Sequence, residues 1–406
     1  MHICLFFLLL LSNERKCHHC HSCEANHDTE SIIPEMAGLY IHIPFCQSRC
    51  IYCGFYSTTL LDKRQEYTDA LCEEMRLRAK PMLGTIYIGG GTPSQLSFGQ
   101  IRQLFAAIGH HYPISADAEV TMECNPDDIS PSFAELLSTL PVNRVSMGIQ
   151  TFDDHRLRFL HRRHDSKQAI KAVGLLRQAG ISNISVDLMF SFPGQTLEEW
   201  EKDIDQALSL GVEHISSYSL MIEEGTPLWE MRRSGAIDMP DDDLYVEMYQ
   251  TLAGRLTSAG YEHYEISNFA KPGHRSRHNS SYWNGTPYIG IGAAAHSYDG
   301  ESRQWNVSDI GTYITSIQQG VIPCEREELD LSSRYNDMVT TALRTSEGID
   351  LEKARSEFGE SLSQYLKRQA ERWIRTGHII NKNGHIRFSL AGIMLSDTIM
   401  SDLVWA

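Results

Sequence analysis

After residue 35 the sequence has no apolar run long enough to cross a bilayer, so that part of the chain is not expected to span a membrane as a helix. It has no excess of positive charge either. Its 36 Lys and Arg stand against 52 Asp and Glu, a formal net charge of -16. A nucleic-acid partner, which would ask for a basic face, is therefore not expected. No second closely spaced cysteine pair follows Cys53, so the repeated pairs of a zinc ribbon are missing. What is there, over 406 residues, is 42% hydrophobic and 22% charged, the composition of a soluble globular chain. The length is enough for more than one domain.

The first 35 residues differ from the rest. Ile3 to Leu11 is apolar, but no Lys or Arg precedes it as a secretory signal would want, and it is too short to span a bilayer. Cys17, Cys20 and Cys23 are spaced C-x2-C-x2-C without the fourth cysteine and proline of a ferredoxin run. The expectation is that the working protein starts at Met36 and that 1–35 is an over-extension or a disordered leader. Without it five acids and two bases go and the charge becomes -13. Six cysteines then remain, which suits a reducing cytoplasm rather than a disulfide framework.

Three of those six sit in one stretch, Tyr40-Ile-His-Ile-Pro-Phe-Cys46-Gln-Ser-Arg-Cys50-Ile-Tyr-Cys53, directly after a strand-like run from Leu39 to Ile43. A fully protein-ligated cubane takes four cysteines. Three leave one iron open to a small molecule. The competing reading is a zinc site of three cysteines and a histidine, with His42 as fourth ligand. Strand alternation, however, turns His42 away from the loop or into the core.

From 39 to about 219 strand-like and helix-like segments alternate. The strands are 39–43, 85–88, 118–122, 144–149, 183–189 and 214–219; helical patterns cover 63–79, 95–108, 131–140, 167–179 and 197–210. This argues for a parallel α/β sheet with right-handed crossovers, a partial (β/α)6 barrel or an open sheet, with active groups where strands end. Such groups recur: Gly89-Gly90-Gly91-Thr92-Pro93, Glu123, Gln150, Asp187 and Ser219, 27 to 37 residues apart from Cys53 onward, the length of one βαβ repeat. One polar group per strand end describes ligands ringed about a single cavity. Successive glycines let backbone approach a ligand, and Asp187 in an apolar strand needs a hydrogen-bonding partner. Each group alone has a plainer reading: a tight turn for the glycines, a helix cap for Glu123, a solvated charge run for Arg162.

The expected division is 1–35, a barrel over 36–230, a linking region over 231–330, and a C-terminal α+β region over 331–406. That last region carries a hairpin around Asn383-Gly384, a single last helix over 391–403 and a winged-helix-like end. In so acidic a chain that end is read as a lid or docking surface.

The cluster loop, Gly89–Ser94, Asn143–Gln150 and Leu188–Thr196 together resemble the oxygen-independent coproporphyrinogen III oxidase-like radical S-adenosylmethionine (SAM) proteins. Tyr264-Glu-Ile-Ser-Asn-Phe-Ala and His278-Asn-x-x-Tyr-Trp283 resemble that family's haem-chaperone branch most specifically. The resemblance implies that Cys46, Cys50 and Cys53 ligate a [4Fe-4S] cluster and that Tyr40 and Tyr52 flank SAM. It further implies that Gly90, Gly91 and Thr92 contact the methionine part of SAM, while Glu123, Gln150, Arg162 and Asp187 complete the pocket. It associates 278–283 with haem, making His278 the candidate iron ligand, with His263, His274 and His296 as rivals. A hydrogen-bonded structural histidine is the plainer reading of His278.

The implied partners are an electron donor for the cluster and haem-accepting respiratory proteins, membrane-associated ones among them. Phe55 stands where the oxidases have a further cysteine, and 1–35 does not look like their folded N-terminal arm. Both departures favour haem carriage over the alternative, oxidative decarboxylation of coproporphyrinogen III.

Overall fold

The structure is a computed structural model and describes residues 36–405; the expectations for 1–35 lie outside the described residues. Six parallel strands form its centre in chain order: β1 Met36–Ile43, β2 Met82–Gly90, β3 Ile114–Cys124, β4 Arg144–Gln150, β5 Asn183–Phe190 and β6 His214–Ser219. Helices Arg64–Leu77, Phe98–His111, Pro131–Ser138, Ser166–Gln178 and Leu197–Ser209 lie between successive strands. Three of the five begin in a capping box, at Ser97, Asp165 and Thr196. This is the partial α/β barrel expected from the alternation.

The pleat sorts the side chains. Leu39, Ile41, Ile86, Ile88, Val120, Val145, Met147, Ile184, Val186 and Ile215 join the helices in one buried apolar layer. The alternate positions carry Tyr40 and His42, Thr85 and Tyr87, Glu119 and Glu123, Arg144 and Ser146, Ser185 and Asp187, and His214 and Ser216. Register places these in rows across the sheet: Tyr40 beside Tyr87, Thr85 beside Glu119, Ser146 beside Ser185, Ser185 beside His214. One face of the sheet is therefore oily and helix-covered, and the inner face is polar and aromatic.

The sheet is larger than the six strands read from sequence. β7 Glu262–Glu265 and β8 Asn268–Ala270 extend it antiparallel beyond β6. At the other edge β9 Tyr288–Ile291 pairs parallel with β1, followed by β10 His296–Tyr298, β11 Ser302–Asn306 and β12 Cys324–Glu328. Glycine hides β9, because glycine-rich sequence reads as loop. Here Gly290 is required by contact: a Cβ on it would overlap the His296 carbonyl.

The C-terminal region packs helices Leu331–Ala342 and Leu351–Arg375 against a three-stranded sheet of β13 Ile349–Asp350, β14 Ile379–Lys382 and β15 His385–Phe388. The hairpin turns at Asn383-Gly384, both at positive φ, as expected. The last helix is not single. It breaks into Leu390–Ile393 and Ser396–Leu403, where Leu395 leaves helical geometry and caps the second segment.

Candidate functional site

β1 runs into the cysteine loop at the carboxyl ends of the parallel strands. The loop is pinned at its base by Cys46 N donating to Thr58 O (2.9 Å) and Thr58 N to Pro44 O (2.8 Å). Its middle is pinned by Ile51, whose N–H reaches Leu160 O and whose carbonyl accepts from Leu228 N. Ile51 and Tyr52 are the apolar anchors beneath it, packed with Leu160, Met189, Phe192, Leu220 and Leu228. Cys46, Cys50 and Cys53 are left half-buried as free thiols. Burial raises the Cys46 thiol and pushes Cys53 up to about 11.

The glycine run of β2 comes in against this loop. Gly91 N donates to Ile43 O at 2.8 Å, and a Cβ on Gly91 would meet Pro44 and the Cys46 sulfur. Thr92 Oγ1 stands 3.6 Å from Cys46 Sγ, and Arg162 Nη1 3.8 Å from Cys50 Sγ. These residues fit an iron–sulfur cluster: three free thiols in one loop, a bare glycine backbone beside them, and a guanidinium to offset thiolate charge. They fit the zinc alternative less well. His42 is spent elsewhere, with Nδ1 bonded to Tyr40 Oη (2.9 Å) and Nε2 to Tyr56 O (3.1 Å).

The strand-end groups are each fixed by burial or hydrogen bonds. Glu123 accepts from Tyr87 Oη (2.7 Å) and Gly90 N (3.1 Å), and burial raises its carboxyl to about 7. Gln150 is buried with φ of 72°, the left-handed region that a bulge at the end of β4 imposes. Arg162 donates to Gly148 O (2.5 Å) and Asn125 Oδ1 (2.9 Å). Asp187 has the partner its apolar strand demanded: Ser146 Oγ at 3.5 Å, with Ser216 also bonding it; burial raises its carboxyl. Tyr40 lies on the inner face beside Tyr87, one layer below these groups, whereas Tyr52 lies under the loop.

His278 stands apart from this group. It starts the short helix Arg277–Asn284, which plugs the amino ends of β1 to β3. Its backbone N–H donates to Glu119 Oε1 at 2.9 Å, and its ring fills the space left by the missing side chain of Gly38. The ring stacks on Tyr87 at 5.1 Å and on Tyr40 at 6.5 Å. It is 0% exposed, with Nδ1 2.8 Å from Thr85 Oγ1 and Nε2 2.8 Å from Tyr282 Oη. Burial drops its pKa to about 3, so the imidazole is neutral. Both ring nitrogens are thus engaged, the hydrogen-bonded arrangement that was the plainer reading, and neither is presented to a ligand. The rivals are no better placed. His263 stacks on Phe269, His296 stacks on Trp305, and neither these two nor His274 line the adjoining cleft.

That cleft, of about 640 Å³, lies between the 277–284 helix, β9 and β10 on one side and helix Leu331–Ala342 on the other. Tyr282, Trp283, Tyr288 and Tyr298 supply its aromatic wall. An ion pair of Arg303 with Asp337 and one of Arg275 with Glu347 (2.6 Å) tie its two sides together. Sequence reasoning missed two further inner-face groups, Arg144 and His214. The signal was available as period-two alternation of polar residues within apolar strands.

A radical SAM superfamily profile matches residues 40–207 and a HemN C-terminal domain profile matches 329–395. The heme chaperone HemW of Bacillus subtilis is 35% identical over 371 residues, 90% of this chain and 98% of that protein. HemW of Escherichia coli is 38% identical over 264 residues, 64% of this chain and 69% of that one. Among solved structures, the radical SAM enzyme coproporphyrinogen III oxidase (HemN) of Escherichia coli matches with a TM-score of 0.80. That match covers 91% of this chain and 90% of the oxidase, at 22% identity, and so shows a shared fold.

Proposed function

The chain belongs to the HemW family of the radical SAM superfamily, and on that premise we propose that it is a haem chaperone that binds haem and hands it to acceptor proteins. The observation carrying this reading is the end-to-end likeness to a protein named as a heme chaperone, with 98% of its length covered. Phe55, in place of the oxidases' further cysteine, supports the same branch.

In this reading Cys46, Cys50 and Cys53 hold a [4Fe-4S] cluster, and Gly90, Gly91, Thr92, Glu123, Gln150, Arg162 and Asp187 receive SAM beside it. The cluster, once reduced by an external donor, supplies an electron able to cleave the SAM sulfonium. The chain's own groups bind and orient. The bare backbone at Gly90 and Gly91 admits the methionine end of SAM. Glu123 supplies acceptors for ammonium or hydroxyl hydrogens, and Arg162 offers a guanidinium for a carboxylate. Tyr40 and Tyr87 close the chamber below. The acceptors in this reading are respiratory proteins, membrane-associated ones included, met from the cytoplasm. Among the described residues no helix is long and apolar enough to cross a membrane.

The test is anaerobic purification and cluster reconstitution, followed by incubation with haem and, separately, with coproporphyrinogen III and SAM. The expected outcome is stoichiometric haem binding with no decarboxylated product. Protoporphyrinogen formation that depends on the three loop cysteines would replace this reading with the oxidase one.

A further inference from the structure

We propose that the iron ligand for haem in this chain is the phenolate of Tyr282, and that His278 is a positioning residue that accepts the phenol's hydrogen bond. This rests on the haem-carrier reading above and names the ligand within it. Three observations point the same way.

First, a planar tetrapyrrole needs a sizeable, largely apolar cavity with aromatic walls, and the 640 Å³ cleft is of the size that takes such ligands (roughly 300–1,000 Å³). Second, the donor inventory of that cleft is narrow. Its lining residues include no histidine and no cysteine; the groups able to ligate iron are Tyr264, Tyr282, Tyr288, Tyr298, Met338, the Lys353 amine once deprotonated, and carboxylates. Tyrosinate is an established ferric-haem ligand type.

Third, two of those tyrosines are hydrogen-bonded to buried neutral imidazoles. Tyr282 Oη is 2.8 Å from His278 Nε2, whose Nδ1 is 2.8 Å from Thr85 Oγ1. Tyr264 Oη is 2.8 Å from His214 Nε2, whose Nδ1 is 2.7 Å from Ser185 Oγ. With Nδ1–H donating to the Thr or Ser hydroxyl, each Nε2 is an acceptor facing a phenol. Exposure separates the two pairs. Tyr264 is 3% exposed, and the Arg275 guanidinium covers its ring at 5.3 Å. Tyr282 is only half-buried and lines the cleft, and this greater exposure selects it over Tyr264 as the proposed ligand.

On binding, the iron–oxygen bond forms as the phenol O–H bond breaks, and the proton leaves as water with the hydroxide displaced from the ferric iron, while the buried His278 imidazole stays neutral beside the phenolate. No electron moves, and the iron stays ferric. The two haem propionates find cations on the facing, C-terminal wall: Lys353, and Arg334, whose buried Nε has no hydrogen-bond partner among the described residues.

The experiment is ferric haem titrated into the full chain and its Tyr282→Phe, His278→Gln and Tyr264→Phe variants, read by electronic absorption and electron paramagnetic resonance. The wild type is expected to show a high-spin ferric signal with a tyrosinate-to-iron charge-transfer band. Tyr282→Phe, which keeps the ring and the packing, loses that band. His278→Gln keeps a high-spin ferric signal but shifts the band and weakens binding by roughly tenfold or more, as removal of a partner of a metal ligand does. Tyr264→Phe leaves the band in place. An unchanged spectrum in Tyr282→Phe, a low-spin imidazole signal lost only in His278→Gln, or loss of the band in Tyr264→Phe would each overturn the assignment while leaving haem carriage standing. Failure of the wild type to bind haem at all would instead remove the carrier reading itself.

Discussion

Burial holds the Glu123 carboxyl near 7, where an unfolded glutamate titrates near 4.5, and this couples the stability of the ligand-free protein to pH. Between those values the native state keeps a proton that the unfolded state has released. Stability from this group therefore falls as pH rises from about 4.5 to 7 and is flat above. The difference is worth roughly 3–4 kcal/mol at most. Glu123→Gln should remove that slope and melt later than wild type at pH 8, while weakening SAM binding; chemical denaturation at pH 5 and pH 8 checks the first point and SAM calorimetry the second. Arg144 makes a related case. It is 1% exposed, and its Nε and Nη1 have no hydrogen-bond partner among the described residues. A buried guanidinium so poorly paired is costly. Arg144→Met is expected to raise the stability of the ligand-free chain by about 1–2 kcal/mol, read as a higher melting temperature. A fall in melting temperature would mean that the guanidinium is compensated, by Asp187 or by ordered water.

The six central strands were legible because apolar runs alternate with capped helices, and the turn at Asn383-Gly384 because both residues suit positive φ. The positions of the strand-end groups followed from the repeat length, since parallel strands deliver their carboxyl ends to one side of the sheet. β9 was not legible. Its strand pairing comes from tertiary contact with β1, and its glycines are there for close backbone approach rather than for local preference. Gly290→Ala is accordingly expected to cost about 1–3 kcal/mol by overpacking against the His296 carbonyl. The loss should appear as faster hydrogen exchange across 288–306, with little change across β3 to β5. His278 shows the other limit of the sequence. A histidine beside Tyr and Trp reads equally as a ligand or as a packed, bonded side chain, and only the positions of Thr85, Gly38 and Tyr282 decide between them.

At the scale of the whole molecule the two ends of the barrel are chemically different. The carboxyl ends hold the thiols and the polar strand-end groups Glu123, Gln150 and Asp187; the amino ends are plugged by the helix bearing His278 and open on the aromatic cleft. Between them lies the Tyr40–Tyr87–His278 stack. The C-terminal region forms the cleft's far wall and is held by the half-buried Arg303–Asp337 ion pair and by Ile266 N donating to Arg344 O at 3.1 Å. Asp337→Ala should leave Arg303 unpaired, loosen helix Leu331–Ala342 as seen by hydrogen exchange, and lower haem affinity, while the cluster's iron and sulfide content stays unchanged.

The most direct test of the account is transfer. Haem-loaded, cluster-reconstituted protein is mixed anaerobically with a haem-free respiratory acceptor, and the distribution of haem between the two is followed after separation. The account predicts that haem moves to the acceptor without loss of either propionate. Haem that stays put under every cluster and SAM state, or a chain that turns over coproporphyrinogen instead, would contradict it.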